Sequence, residues 1–534
     1  MYPSPDFIDR QLAFLSSDLL AFLPEIVLAA TIVGLLLLRI VTNIAVHAGY
    51  LAILGVGSAL AIGIAQWCGV SALLPHNAHA GDSIAIFSNF LVHDQFGLLI
   101  RIGLLGFLVV VQILCLITHL PDRQESIEFS VLLCGSTLGL MLMSSSNHLM
   151  MMFLSIEMAS LPGYILAGFA KGRRAGSEAA MKYVIYGASA AGIMLYGMSL
   201  LVVATGTASF PEIATHVGNL EGDSSPLFYI GAFLVIGGLM FKLAAFPFHF
   251  WLPDVFHGAF AEIGLFLSVA SKAAALVLSL RFLFALTGSS DGSFHQTHTN
   301  IALMWTSIAL LTTTFGNLAA LGQSNIKRLL GYSTIAHAGV MMFAVLPFNR
   351  VALVPLIYYL AAYLLTNLGA FAVVAIARKS LPGSNIQDFT GLIKKSPILA
   401  ISMTVFLMGL IGLPPLMGFA AKFHVFANLY HLSNLPGFRG AILSDFFYAT
   451  LVLLALNTAI SVAYYLRVIK VMMLDEPASK EPIVINLPAR ALLSVVVSLT
   501  LVFGIFWNPI TQVAQRTETT FKQPALKTLR NSQP

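Results

Sequence analysis

The sequence predicts an all-α polytopic membrane protein with about 14 transmembrane helices, including two inverted five-helix repeats that contain broken helices. The first observation behind this prediction is composition: 58% of the 534 residues are hydrophobic and only 10% are charged, whereas soluble domains carry about 25% charged residues. The second is the recurrence of apolar stretches of about 18–25 residues, each long enough to cross a bilayer as a helix. The third is a pair of stretches that proline interrupts close to a lysine.

The apolar stretches divide the chain into regions. Residues 1–128 contain spans 1–3, residues 129–286 contain spans 4–8 as a first repeat, and residues 300–470 contain spans 9–13 as a second, inverted repeat. Span 14 covers residues 489–508, and residues 509–534 form a polar, basic tail that we expect to be mobile. The predicted spans are 19–40, 47–67, 95–117, 129–146, 149–170, 181–204, 228–248, 258–286, 300–321, 333–348, 352–377, 398–430, 445–469 and 489–508.

Basic residues predict the orientation of the chain, because cytoplasmic loops carry an excess of lysine and arginine. Sixteen basic residues lie in or beside the loops after odd-numbered spans, and five lie on the opposite side. This difference places the odd loops in the cytoplasm and both termini on the outer, periplasmic side, although the tail carries four basic residues. The sixteen are Arg39, Arg123, Lys171, Arg173, Arg174, Lys182, Lys327, Arg328, Arg378, Lys379, Lys394, Lys395, Arg467, Lys470, Lys480 and Arg490; the five are Arg10, Arg101, Arg281, Arg350 and Arg439; the tail has Arg516, Lys522, Lys527 and Arg530.

The same features argue against several classes of protein. The net charge of +5 does not indicate nucleic-acid binding, because most basic residues lie in short loops where they orient the chain. The three cysteines, Cys68, Cys115 and Cys134, lie in or beside apolar stretches without metal-ligand spacing, and we interpret them as small hydrophobic residues. The sequence has no Gly-rich dinucleotide loop and no phosphate-binding loop. Its first ten residues lack the basic region of a signal peptide, so we expect no cleaved leader.

With the loops removed, a few ionisable residues remain at membrane depth. Each lysine at a helix centre costs on the order of 2.5–3.5 kcal/mol on insertion scales, so three lysines and a glutamate facing lipid would cost roughly 10 kcal/mol. This is comparable with the stability of a whole domain, so we expect these side chains to face the bundle interior or water and to be paired. They are Glu157 in span 5, Lys242 in span 7, Lys272 in span 8, His337 in span 10 and Lys422 in span 12.

A purely structural role, as ion pairs or snorkelling side chains, is the alternative for these residues. Snorkelling fits poorly for the three lysines, which lie well inside their spans. Buried ion pairs rarely stabilise a fold on balance. We therefore favour a functional role for the lysines and Glu157. For His337 the two roles are equally supported, because a lone histidine is more often a satisfied core residue.

Two of the lysines stand beside an interruption of their span. Pro247 interrupts span 7 just after Lys242, and "GLPPLMG" (412–418) interrupts span 12 just before Lys422. Backbone groups freed at such breaks are tolerated only where they line a cavity or contact water. The breaks are five spans apart, and this odd offset reverses membrane direction, which predicts an inverted repeat of the transporter type. The alternative is that the prolines only kink packed helices.

Buried lysines near a carboxylate suit proton transfer. Burial weakens the affinity of an amine for its proton and a nearby carboxylate strengthens it, so movement of either group switches the affinity. A row of such groups linked by water is a proton path. No dense polar cluster or aromatic cage indicates a site for a sugar or an amino acid.

Several stretches resemble the antiporter-like subunits of respiratory complex I. The resemblance covers spans 4–14 strongly and spans 1–3 weakly. Lysine at position 422, and a chain that ends after span 14 without a long amphipathic helix, make it most similar to the subunit N branch of NADH–quinone oxidoreductase, rather than to subunits M or L. The stretches are "FKLAAFPFHFWLPDVFHGA" (241–259), "FLSVASKAA" (266–274), "SNIKRLLGYSTIAHAGV" (324–340), "GLIGLPPLMGFAAKFHVF" (409–426), "SEAAMKYVIYGASAAGIMLYGMSLL" (177–201) and "LPEIV" (23–27).

The resemblance implies that the five ionisable residues form a proton path. Glu157 corresponds to the family's glutamate in span 5, and Lys242 and Lys272 correspond to its lysines in spans 7 and 8. Lys422 corresponds to the lysine of span 12, and His337 to a histidine of the central polar axis.

One position departs from the family's pattern. Where the family usually has Pro-x-Pro before span 8, this chain has Phe260 and Glu262, so a break at the start of span 8 is less expected. Glu262 precedes Lys272 by ten residues, roughly 15 Å along a helix. We interpret it as a solvated residue of the helix end, because acids are common in first helical turns. A cytoplasmic proton-entry group is the alternative.

The resemblance also implies a function. The chain is expected to be a membrane-arm subunit of NADH–quinone oxidoreductase in the bacterial plasma (inner) membrane, taking part in proton translocation coupled to electron transfer from NADH to quinone. It is expected to hold no cofactor itself, with FMN, iron–sulfur clusters and quinone in partner subunits, and to contact subunit M and K- or J-type neighbours. The alternatives are a subunit of a multi-subunit Na⁺/H⁺ antiporter or membrane-bound hydrogenase, or a scaffold that transports nothing.

Overall fold

Helices long enough to cross a membrane dominate the computed structural model of the chain, which confirms the all-α class. The structure describes residues 15–41, 48–73, 83–120, 126–170, 173–218, 226–287, 296–434, 442–477 and 481–521. Within these ranges, 12 helices have the length and hydropathy of a membrane span.

The helices are numbered here in chain order. They are α1 (Leu23–Val41), α2 (Ala48–Trp67), α3 (Gln95–Thr118), α4 (Ser126–Ser145), α5 (Leu149–Ala167), α6 (Arg174–Thr205), α7 (Phe210–Gly218), α8 (Pro226–Leu243), α9 (Trp251–Gly258), α10 (Ala261–Thr287), α11 (Gln296–Leu321), α12 (Ile326–Ala344), α13 (Leu353–Ala377), α14 (Leu392–Lys395), α15 (Pro397–Ile411), α16 (Met417–Ser433), α17 (Ile442–Met473), α18 (Leu487–Ile505) and α19 (Asn508–Thr520). An antiparallel hairpin, β1 (Ile84–Ile86) and β2 (Leu91–His93), and 3-10 turns at Ser71–Leu73, Arg350–Ala352 and Ile386–Phe389 lie between them.

The number of crossings agrees with the prediction. The 12 helices of spanning length and hydropathy are α1–α6, α8, α10, α11, α13, α17 and α18. The 19-residue helix α12 occupies predicted span 10, and α15 with α16 occupies predicted span 12. With these two added, the described residues account for about 14 crossings.

The predicted interruption of span 7 is present. Helix α8 ends at Leu243, and the short helix α9 starts at Trp251. Ala244 follows the end with a φ of 56°, the left-handed conformation that stops a right-handed helix. Pro247 then lacks the N–H that a continuing helix needs and disfavours helical geometry at Phe246.

The predicted interruption of span 12 has the same form. Helix α15 ends at Ile411, and α16 starts at Met417. Gly412 follows with a φ of 88°, a conformation that glycine adopts without steric penalty. Pro414 and Pro415 come next and prevent an immediate restart of the helix. Both breaks thus lie where the prolines predict them, while the inverted repeat stays a prediction.

A third break separates α9 from α10. Helix α9 ends at Gly258, Ala259 is extended with ψ 164°, and α10 begins at Ala261. The sequence made this break less expected because the prolines of the family's pattern are absent. A Cβ atom on Gly258 would overlap the backbone oxygen of Ala175 in α6. Close packing of α9 on α6 therefore depends on this glycine, and the chain turns there without a proline.

Helix α10 lies at the centre of the bundle. Ala273 and Phe284 are its only residues that are not buried, and it packs against α4, α7 and α13. A helix that is apolar on all sides is suited to such a central position. Its three buried charged residues, Glu262, Lys272 and Arg281, therefore lie inside the protein at three different depths.

Two buried ion pairs join the first helices to this centre. Arg101 of α3 donates to Glu25 of α1 at 3.0 Å, and the two side chains are 2% and 1% exposed. Arg281 of α10 donates to both carboxylate oxygens of Asp94 at 2.7 and 2.9 Å. Asp94 also caps α3 by accepting from the Gly97 N–H. The pairs therefore tie α1 and α3 to α10.

This arrangement corrects part of the charge count that predicts orientation. Arg101 and Arg281 were counted with the outer loops, which is wrong, because both are buried inside spans and paired with carboxylates. The remaining outer count is smaller still, so the predicted orientation keeps its sign. Several counted residues lie outside the described ranges: Arg10, Arg123, Lys171, Arg439, Lys480, Lys522, Lys527 and Arg530.

The C-terminal region also differs from the expectation of a mobile tail. Residues Asn508–Thr520 form α19, which has Pro509 in its first turn, a favoured position for proline. Phe521 follows and packs on Phe96 and Phe284, with ring centroids 5.7 and 5.8 Å away. An aromatic anchor thus holds the first half of the tail, which polar composition alone does not reveal.

Removal of one partner of the Asp94–Arg281 pair should destabilise the fold. Asp94→Asn leaves the Arg281 guanidinium buried without a counter-charge, a loss of about 3–5 kcal/mol in comparable pairs. We expect a lower midpoint of thermal unfolding in detergent. The double variant Asp94→Asn/Arg281→Gln carries no unpaired charge and should lose less. If the double variant loses as much as the sum of the two single variants, the pair does not behave as a coupled unit.

Candidate functional site

Lys242 lies in the last turn of α8 and is 2% exposed. Its Nζ donates a hydrogen bond of 2.9 Å to the Ser160 hydroxyl of α5. Glu157, three residues before Ser160, lies on the same side of α5 and is half-buried. Glu157 and Lys242 form no ion pair within 4.0 Å. Ser160 is the direct partner of the lysine, and Glu157 acts on it from about one helical turn away.

Lys272 reaches the break in span 7 from the central helix α10. Its Nζ donates to the backbone oxygen of Lys242 at 3.2 Å and lies 5.0 Å from the centre of the Trp251 ring. The last carbonyls of a helix have no partner within the helix and carry its negative dipole end. The ammonium group thus satisfies a carbonyl that the break leaves free, and the indole ring adds a cation–π contact.

Lys422 does the same at the break in span 12. Its Nζ donates to the backbone oxygen of Ile411, the last residue of α15, at 2.8 Å. The lysine itself lies in α16, after the break, and is 7% exposed. Each predicted break therefore has a buried lysine Nζ on the freed carbonyl of its first half.

A chain of hydrogen bonds connects α10 with α12. The Asn367 amide of α13 donates to the Ser268 hydroxyl of α10 and, at 3.1 Å, to the Tyr363 hydroxyl. The Tyr363 hydroxyl donates to Thr334 of α12 at 3.0 Å. Ser268 lies one turn before Lys272 on the same face of α10. These four polar side chains thus lead from Lys272 into the second half of the chain.

His337 lies at the end of this connection. Its Nδ1 is 2.8 Å from the Tyr359 hydroxyl, and its Nε2 is 3.4 Å from the Tyr465 hydroxyl. Its ring also packs against the Tyr363 ring at a tilt of 40°, with centroids 5.4 Å apart. Both ring nitrogens have partners, so the geometry fits a satisfied core histidine as well as a relay.

Two small cavities lie between His337 and Lys422, and both residues line each of them. Each cavity has a volume of about 10 Å³, about the space that one water molecule needs. The first also touches Tyr363, and the second touches Asn317 and Tyr464. Their walls thus offer the polar partners that a buried water requires.

The structure therefore brings the five predicted residues into one buried polar row. The row begins at Glu157 and Lys242, passes Lys272, crosses to His337 and ends at Lys422. Sequence reasoning missed the hydroxyl and amide groups between these residues. Polar residues inside apolar stretches were the available signal, but serine and threonine are common in helices that cross membranes. The missed residues are Ser160, Ser268, Thr334, Tyr359, Tyr363, Asn367 and Tyr465.

The structure corrects how Glu262 and Lys327 were interpreted from the sequence. Glu262 is 0% exposed and pairs at 3.2 Å with Arg378, which directly follows α13, so its assignment as a solvated helix-end residue is wrong. Burial comes from packing of α13 on the first turn of α10, which the local sequence does not reveal. Lys327, counted as a loop residue, is buried in α12 and donates to the backbone oxygens of His257 and Ala259 at 2.7 and 2.9 Å.

Metal ligation is not indicated in the part of the chain that the structure describes. No group of three or more His, Cys, Asp or Glu side chains there is placed to hold a metal ion. Cys115 and Cys134 are buried free thiols, and Cys68 is exposed.

Known proteins resemble the chain over most of its length. Residues 146–439 match the family described as "NADH:quinone oxidoreductase/Mrp antiporter, TM". The NADH-quinone oxidoreductase subunit N of Anaeromyxobacter sp. (strain Fw109-5) is 37% identical over 445 residues, covering 80% of this chain and 84% of the relative. The protein of the same name from Chlorobium chlorochromatii (strain CaD3) is 33% identical over 533 residues, covering 97% and 98%.

A solved structure shows the same architecture. A chain of the structure described as "Respiratory complex I from Thermus thermophilus with bound Aureothin" matches with a TM-score of 0.72 and 29% identity, covering 92% of this chain and 98% of that chain. The match confirms the resemblance that the motifs at the two breaks indicate. Identity above 30% over nearly the full length of both chains shows that this chain belongs to the subunit N family of NADH-quinone oxidoreductase.

Proposed function

We propose that this chain is a membrane-arm subunit of NADH–quinone oxidoreductase and takes part in proton translocation coupled to electron transfer from NADH to quinone. The observation that carries the proposal is the buried lysine Nζ on a freed carbonyl at each of the two breaks that contain proline. These lysines belong to one polar row, which gives a proton a place to reside at several points inside the bilayer.

The backbone contact links the proton content of each lysine to the geometry of its break. An ammonium group bonds a carbonyl oxygen at a helix C-terminus strongly, because its charge meets the negative end of the dipole. A neutral amine keeps only a weak hydrogen bond there. Loss of the proton from Lys272 or Lys422 therefore loosens the break, and movement of the break changes how firmly the lysine holds its proton.

The side chains along the row differ in whether they can pass on a proton. The hydroxyls of Ser268 and Tyr363 can each accept one proton and release another. The Asn367 amide between them donates to both and accepts from neither. Water beside Asn367 is therefore needed to carry a proton from Lys272 towards His337. The two cavities between His337 and Lys422 provide room for the next water molecules.

The same proposal covers the cofactors of the complex, the neighbouring subunits and the membrane. FMN, iron–sulfur clusters and quinone belong to partner subunits, which supply the driving electron transfer, and subunit M and K- or J-type subunits are the expected neighbours. The complex lies in the bacterial plasma membrane, with both termini of this chain on the outer side, as the basic loops predict. A role in a Na⁺/H⁺ antiporter or a hydrogenase is less favoured, because the relatives with 33–37% identity carry the subunit N name.

Glu157→Gln should lower proton pumping while the complex still assembles. The change keeps the size of the side chain but removes a charge that favours the ammonium form of Lys242. The measurement is the proton-to-electron ratio in reconstituted vesicles. Ser160→Ala is the matched control, because it removes the direct contact without a charge and should have the smaller effect. Wild-type pumping by Glu157→Gln would show that the carboxylate does not tune Lys242.

Lys242→Ala and Lys242→Arg should both lower the proton-to-electron ratio. Alanine removes the titratable group, and Glu157 can take up a proton in response, so the protein should fold. Arginine keeps the charge but releases no proton, since its pKa stays above about 12. If Lys242 serves only as a fixed positive charge, arginine restores pumping and alanine does not. Full pumping by the arginine variant would therefore contradict the role of Lys242 as a proton carrier.

The chain alone should not restore salt tolerance to sodium-sensitive cells. A subunit with polar groups along its axis should seal that axis against neighbouring subunits, so we expect the chain to be stable only within the complex. Growth in sodium, together with Na⁺/H⁺ exchange by membrane vesicles from these cells, is the measurement. Tolerance with measurable exchange would contradict the assignment to NADH–quinone oxidoreductase and favour the antiporter.

A further inference from the structure

Glu262 is a buried acid outside the row described above. It lies in the first turn of α10 and is 0% exposed. Its Oε2 accepts from Arg378 Nη1 at 3.2 Å, and the Arg378 side chain is 29% exposed. The guanidinium also lies 5.1 Å from the centre of the Phe260 ring. One member of this pair is thus sealed in the protein while the other reaches the surface.

The second oxygen of Glu262 has no partner among the described residues. Glu262 Oε1 is buried and makes no hydrogen bond. Two further buried oxygens on the same pair of helices share this condition: Asn367 Oδ1 of α13 and Ser271 Oγ of α10. Buried polar atoms are normally paired, with ordered water where the protein supplies no partner. These three atoms therefore indicate water sites along the contact between α10 and α13.

The position of these oxygens connects Glu262 with Lys272. Ten residues of helix separate the two side chains, roughly 15 Å along α10, and place them within about 80° of the same side. Ser271 adjoins Lys272 in sequence, and Asn367 donates to Ser268, one turn before Lys272. The unpaired oxygens thus lie between the end of the bundle and the middle lysine of the row.

Three titratable groups surround Glu262. Arg378, which directly follows α13, is its direct partner, and Lys327 of α12 and the Cys115 thiol of α3 are the other two that interact with it. The Lys327 ammonium is already held by two backbone oxygens of the α9–α10 connection. A buried ion pair contributes little net stability, so a structural role alone does not explain why a glutamate is buried at position 262.

We propose that Glu262 is the group through which protons enter this subunit from the face of the membrane where Arg378 is exposed, and that they pass by water at Asn367 and Ser271 to Lys272. The inference rests on the proposed function and names its entry point. In the uptake step, a proton from bulk water binds Oε1 and converts the carboxylate to the carboxylic acid. In the next step, the acid releases that proton through the bound water to the neutral amine of Lys272, which restores the carboxylate and yields the ammonium.

The test separates this role from that of a structural ion pair. Glu262→Gln removes the acid, and the charge-balanced double variant Glu262→Gln/Arg378→Gln removes the acid without leaving an unpaired charge. Glu262→Asp keeps a carboxylate. The readouts are the proton-to-electron ratio in reconstituted vesicles of the whole complex and its uncoupled rate of quinone reduction, which reports assembly.

We expect Glu262→Gln and the double variant to lower the ratio by the same amount as Lys242→Ala, and Glu262→Asp to restore at least part of it. If the complex with Glu262→Gln does not assemble, the double variant is the one that decides the test. Full pumping by the double variant would show that the pair is only structural and would overturn the proposal. A further outcome is that Lys242→Ala loses pumping while Glu262→Gln and Glu262→Gln/Arg378→Gln pump fully. The proposed function would then stand, and protons would enter the subunit at another residue.

The Asp94–Arg281 pair provides a matched control. It is also a buried carboxylate–guanidinium pair that involves α10, but both of its carboxylate oxygens are occupied by the arginine. The charge-balanced variant Asp94→Asn/Arg281→Gln should therefore pump at the wild-type ratio. A similar loss in this control would mean that any ion pair on α10 affects pumping through packing, and would contradict a specific role for Glu262.

Discussion

The fold depends on how it satisfies backbone carbonyls that three helix breaks expose inside a membrane protein. A carbonyl without a partner in hydrocarbon costs several kcal/mol. Here a lysine from a neighbouring segment donates a hydrogen bond to a backbone carbonyl at each break. The lysines are Lys272 at the end of α8, Lys327 after the end of α9 and Lys422 at the end of α15. Because each ammonium is both a structural cap and a titratable group, removing a proton weakens the architecture at the same point. Structure and chemistry are joined at these three contacts.

The surrounding helices bury those contacts and hold them in register. Helix α10 carries acid, lysine and arginine at three depths and is enclosed by other helices along almost its whole length. Its far end is fixed by the Asp94–Arg281 pair, and His93 beside it stays neutral, because burial and then Arg101 lower the pKa of His93 to about 3. This attachment fixes one end of α10 to the start of α3.

The sequence predicted the spans, the two proline breaks and the lysines beside them, since hydropathy, missing N–H groups and the cost of buried charge are local properties. It did not predict the burial of Glu262, because that depends on Arg378, more than 100 residues later along the chain and packed against it only in the folded bundle. The sequence also did not predict the hydrogen-bonded link through Asn367 and Tyr363, because its partners come together only in the folded bundle. Arg101 and Arg281 were misplaced because their partners, Glu25 and Asp94, come from other helices.

The two cavities between His337 and Lys422 have a consequence for which ions can use this row. Each has room for about one water molecule, whereas a hydrated alkali cation carries several. A sodium ion would have to shed nearly its entire shell in surroundings that include a lysine of the same charge. A proton avoids this difficulty, because it moves by exchange of bonds between single waters. Cavities of this size therefore favour a proton over a hydrated sodium ion at this point of the row.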